Sequence, residues 1–235
     1  MHKTKVRFSA VLLLGLSVGG FSTPAYAVPS LSFSLDGGLP TVCADGDACD
    51  INPLVGVVSF SGSLGDFAVN VTTGLSKPAL PGSHMDLNSV NVQASGGAHT
   101  LTIMWSDTGF LLSGPLEGLF GGTITGNGST VTASVYFDET DAPFGQASLS
   151  GTTGPLAGPV FAAMFDGPGP LTAPYSLTQV LTISTTGVTT FSGDFDVKVV
   201  PAPEPTSVTL LGGALFVIVG ALRKKRSRSQ TIGNG

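Results

Sequence analysis

The chain has 235 residues, 42% of them hydrophobic, with 10 Lys+Arg against 15 Asp+Glu and a formal net charge of −5. Eight of the ten basic residues lie within residues 3–7 and 223–228, which leaves Lys77 and Lys198, whereas every acid except Glu204 falls within residues 28–200. Two bases against fourteen acids give that central region a net −12, a surface that repels phosphate backbones and anionic lipid and excludes a nucleic-acid partner.

Residues 1–27 read as a secretory signal peptide. Lys3, Lys5 and Arg7 form a positive start, residues 11–18 an apolar run too short to span a bilayer, and Ala25 and Ala27 the small-residue pattern before a cut after Ala27. From residue 28 to residue 200 the chain is long enough for one domain with its own core. It is rich in Gly, Thr, Ser and Val, and apolar residues recur with period two, the mark of half-buried strands.

In chain order, strands are expected over residues 31–35, 55–60, 67–72, 87–93, 99–105, 118–125, 130–137, 160–165, 175–184, 188–191 and 195–199. The strongest strand–turn–strand signal runs from Leu87 through Ser95, Gly96 and Gly97 to Trp105, with Leu101, Ile103 and Trp105 on one face. A cysteine-bearing loop lies between the first two strands, and a Pro-containing loop occupies residues 77–82. About ten short strands at this spacing predict an all-β, antiparallel two-sheet β-sandwich, jelly-roll-like, with no solenoid repeat.

Cys43 and Cys49 are the only cysteines. In an exported chain they are expected to form a structural disulfide rather than a redox pair, since their spacing is not C-x-x-C. Asp45, Asp47 and Asp50 alternate in the same loop. They read either as a solvated acidic turn or as an incomplete calcium loop, because hard oxygen ligands two residues apart suit calcium but no bidentate Glu completes the pattern.

His84 and His99 belong to no metal-binding spacing, and no nucleophile motif stands apart from the abundant Ser and Thr. No enzyme activity and no resident cofactor are therefore expected. Trp105, Tyr136 and Tyr175 are the candidate stacking residues of a second reading, a carbohydrate- or calcium-binding extracellular module; single aromatics on strands more often belong to a core.

The C-terminal stretch has three parts in order: Val200-Pro201-Ala202-Pro203-Glu204-Pro205, an apolar run through Leu222, and the basic cluster Arg223, Lys224, Lys225 and Arg226. Residues 206–222 would reach about 25 Å as a helix, slightly short for a bilayer core, and Gly212, Gly213 and Gly220 weaken that helix. A single C-terminal transmembrane helix is expected, with the basic cluster cytoplasmic.

Residues 201–229 resemble the PEP-CTERM sorting signal of Gram-negative exported proteins. The resemblance implies recognition by an exosortase-type membrane enzyme, cleavage near Pro203-Glu204-Pro205, a transient stay in the inner membrane, and release to the cell surface or extracellular matrix, often with exopolysaccharide or biofilm. The centre is similar to one group of such proteins, on residues 49–53, 69–78 (VNVTTGLSKP), 86–92, 101–108 (LTIMWSDT) and 176–183. That likeness implies a shared fold unit and no reaction.

Overall fold

The computed structural model describes residues 28–201. The expected signal peptide, the Pro203-Glu204-Pro205 motif, the membrane helix and the basic cluster all lie outside the described residues. Within them the chain forms twelve strands: β1 Ser30–Leu35, β2 Thr41–Ala44, β3 Val57–Leu64, β4 Phe67–Leu75, β5 His84–Ala94, β6 His99–Phe110, β7 Leu116–Thr125, β8 Thr130–Asp138, β9 Ser148–Thr152, β10 Phe161–Gly167, β11 Tyr175–Thr185 and β12 Thr189–Val199. None of the described residues forms a helix long and apolar enough to cross a membrane.

The strands make two six-stranded sheets, β2-β1-β6-β11-β8-β9 and β10-β7-β12-β5-β4-β3. Every pairing is antiparallel. Alternation decides which side of each strand turns inward. Val131, Ala133, Val135 and Phe137 from the first sheet, and Phe191, Phe195, Val197 and Val199 from the second, enter one common core. Burying each large apolar side chain contributes about 1.5–3 kcal/mol. The expected antiparallel sandwich is thus what forms.

Several strands depart from the sequence expectation. β2 sits inside the expected cysteine loop, and β9 lies where no strand is expected; both are short edge strands with one buried side chain each, so neither has the alternation that betrays a strand. Residues 188–191 and 195–199 belong to one strand, β12, whose bulge between Gly193 and Phe195 interrupts the period. The strong signal at residues 87–105 closes no hairpin: β5 lies in the second sheet and β6 in the first, so the turn at Gly96 and Gly97 passes between sheets. The turn between β7 and β8 does the same.

The sheets are also joined by polar contacts through the core. Gln179 faces inward from β11 and donates from Nε2 to the Phe195 carbonyl of β12 (2.6 Å). Trp105, fully buried on β6, lies against Gly74 of β4, where a Cβ would stand 3.1 Å from the indole. A side chain there would make the indole give by a few tenths of an ångström, so glycine suits the close approach, and Trp105 Nε1 donates to the Leu75 carbonyl (3.2 Å).

Candidate functional site

Cys43 and Cys49 form a disulfide, as expected. It closes the turn after β2, with Cys43 fully buried. The three aspartates of this turn do not converge. Gly56 N donates to Asp45 Oδ2 (2.6 Å) and Ala44 N to Asp47 Oδ2 (3.0 Å). Asp50 accepts from Gly46 N (3.2 Å), Asn52 N (2.9 Å) and Ser59 N (2.9 Å). Their oxygens cap backbone amides that the turn leaves unpaired. Among the described residues no group of three or more His, Cys, Asp or Glu side chains is placed to hold a metal ion.

A second polar cluster lies where the loop after β4 meets β6. The Asp107 side chain is fully buried and accepts from Ser76 Oγ (2.6 Å), Lys77 Nζ (2.8 Å) and its neighbour's amide, Thr108 N (2.7 Å). Lys77 Nζ also donates to the Thr108 carbonyl and sits 4.4 Å from the centre of the Phe110 ring. Asp107 and Lys77 thus join the loop after β4, in the second sheet, to β6 in the first, and the cluster is a clamp between the sheets.

Register divides the polar outer face of the second sheet into two ends. At one end Asp166, Glu117, Lys198 and His84 stand side by side on β10, β7, β12 and β5, with Met164, Leu119, Asp196 and Asp86 in the next row. A groove of about 400 Å³ runs among several of these residues. His84 Nε2 and Asp196 Oδ2 are 2.5 Å apart, and Lys198 Nζ is 3.2 Å from Glu117 Oε2. Burial, and then the nearby Asp196 charge, push the Asp86 carboxyl above its usual range.

At the other end the charges stop. Ser61, Asn70, Asn91 and Ser192 face one another across β3, β4, β5 and β12. The adjacent row holds Ser63, Ala68, Gln93 and Thr190. A groove of about 360 Å³ is lined by Ser61, Ser63, Asn70, Asn91 and Gln93 with the intervening Gly62, Ala68 and Val69. Nothing in the sequence marks these residues as one site. The available signal was the polar half of each alternating strand, read there only as the solvent side.

The aromatic candidates fare differently. Trp105 and Tyr175 are fully buried and cannot present a ring to a ligand. Tyr175 donates its hydroxyl to the Leu112 carbonyl (2.5 Å), and burial pushes its pKa up to about 12. Tyr136 alone of the three is partly exposed, on the outer face of the first sheet. His99 is a structural residue at the start of β6: its Nδ1 lies 2.8 Å from Asp36 Oδ2 and its ring meets Phe67 edge-on.

No family model and no curated protein matches the chain. Among solved structures it is similar to TmCBM61 in complex with beta-1,4-galactotriose, at 14% identity and a TM-score of 0.38 over 60% of this chain and 86% of that one. It is also similar to the enzymatically active domain of bacteriophage CBA120 tailspike protein 4, at 11% identity and a TM-score of 0.35 over 70% of this chain and 19% of that one. Likenesses this distant assign no site residue and no ligand. Residues 28–201 themselves form a disulfide-bearing, antiparallel two-sheet β domain.

Proposed function

We propose that the chain is an exported surface or extracellular-matrix protein with a structural role, delivered through an exosortase-type tail and associated with exopolysaccharide. One observation carries this reading: a start with the pattern of a signal peptide up to Ala27 is paired with Pro203-Glu204-Pro205, an apolar run and Arg223-Lys224-Lys225-Arg226 in that order.

The fold is compatible with cutting at both ends. β1 begins at Ser30, just past Ala27, and Pro29 O accepts from Asp45 N (2.9 Å). β12, the last strand, ends at Val199, and Val200 N donates to Pro115 O (2.8 Å). The twelve strands of the described residues therefore all lie between the two cut points. β12 is flanked by β7 and β5, so the new terminus emerges from a strand held on both sides. The Cys43–Cys49 bond suits an oxidising compartment.

The test is deletion of the exosortase-type enzyme in the exporting cell. Full-length chain should then accumulate in the inner membrane. Unchanged size and location would contradict the reading.

A further inference from the structure

We propose that the neutral groove on the second sheet binds a neutral polysaccharide chain; this rests on the matrix reading above and names the surface that would meet the polymer. Ser61, Asn70, Asn91 and Ser192 stand opposite one another on four adjacent strands. They therefore repeat at the strand spacing of about 4.8 Å, with Gln93 and Ser63 in the neighbouring row. Asn and Gln side chains each offer two donors and an acceptor, and Ser a donor and acceptors. A sugar hydroxyl needs the same mixture from its partner.

The groove's own chemistry narrows the ligand. It is lined by no charged residue, in a region of net charge −12 by the count of two bases against fourteen acids, so an anionic polymer is repelled and a cation finds no carboxylate. It also lacks any large apolar or aromatic side chain to seat a hydrophobic peptide. Among the described residues, the side chains of Ser61, Ser63, Asn70 and Gln93 make no hydrogen bond, while Asn91 Nδ2 donates to Ser89 O (2.9 Å) and so is held in place. With no ring for a sugar to stack on, each repeat contributes little, and retention comes from many weak contacts along a polymer.

Affinity electrophoresis of the full chain in mild detergent tests the groove, in gels containing dextran, galactan, mannan or a mixed-linkage β-glucan, with alginate as the anionic polymer. At least one neutral polymer should retard the protein while alginate does not. Asn70→Ala combined with Gln93→Ala, two exposed positions, should reduce the retardation at least fivefold. Asn70→Asp should do the same by placing a charge in the groove should the double variant melt early, and Glu117→Gln at the charged end should leave it intact.

Retardation by none of the neutral polymers, equal retardation by alginate, or unchanged retardation of folded groove variants overturns the proposal. A correctly sorted chain that no polymer slows sinks this inference alone. A chain that is slowed but never leaves the inner membrane keeps the groove and sinks the matrix reading.

Discussion

Lys77 and Asp107 meet at 2.8 Å, and through them the two stretches VNVTTGLSKP and LTIMWSDT, far apart in sequence, become one structural unit. Gly74, Leu75, Ser76 and Lys77 from the first stretch meet Trp105, Asp107 and Thr108 from the second. The two stretches together thus describe how the second sheet is fastened to the first. One of only two lysines between the chain's ends serves this clamp.

Lys77→Ala leaves a buried carboxylate without its cation and is expected to cost roughly 2–4 kcal/mol. Lys198→Ala removes only the exposed pair with Glu117, in which both side chains are about half exposed, and should cost less than about 1 kcal/mol. The chain's single tryptophan, Trp105, abuts the clamp, so urea unfolding followed by its fluorescence reads both variants. Equal effects of the two substitutions would refute the assigned role of the clamp.

Asp86 gives a pH dependence with a definite sign. Its folded pKa lies above the unfolded value of about 3.8, so its contribution is full below that value and is lost as pH rises through the folded pKa. At neutral pH the charge is a net cost beside Asp196. Asp86→Asn should therefore raise the melting temperature at pH 7, and the gain should vanish on acidification. Asp36 acts in the opposite direction: the Thr100 amide, then His99, hold its carboxyl below 3.8, so its stabilisation is present above that value and fades as pH falls through the folded pKa. A gain from Asp86→Asn that grows toward acid pH would reverse the argument.

Reduction of the Cys43–Cys49 bond should lower stability by roughly 2–3 kcal/mol, from the loop-closure entropy of so short a ring. The same shift is expected for Cys43→Ser combined with Cys49→Ser, measured by thermal melting with and without dithiothreitol. A melting temperature unchanged by reduction would show that the turn is held by its aspartate caps alone.

Those caps lead to a separate expectation. Asp45, Asp47 and Asp50 accept backbone N–H groups from residues 44, 46, 52, 56 and 59. Calcium or EDTA should therefore leave the melting temperature unchanged, whereas Asp50→Ala, which removes the acceptor of three amides, should lower it through a loss of roughly 1–3 kcal/mol of stability. A calcium-dependent rise in melting would restore the ion-site reading.

The sandwich was legible because its long strands alternate cleanly; β8 and β11 expose almost the whole of their pattern to simple inspection. Sheet membership was not legible. The turn at Gly96 and Gly97 has hairpin composition, yet β5 and β6 turn their apolar faces into one common core from opposite sheets, a choice made by the whole core rather than by the turn. The edge strands β2 and β9 were missed because an edge needs no buried side on every residue. The disulfide was legible from the count of two cysteines and the export that the N-terminus leads one to expect. The groove was not, since Ser61, Asn70 and Asn91 become neighbours only through register.

The export reading is tested most directly by the intact mass of the chain recovered from the cell-surface and extracellular fractions. The account expects a polypeptide that begins after Ala27, ends close to Pro203-Glu204-Pro205, and lacks Arg223-Lys224-Lys225-Arg226. A species that keeps the whole tail and is found only in the inner membrane would contradict it.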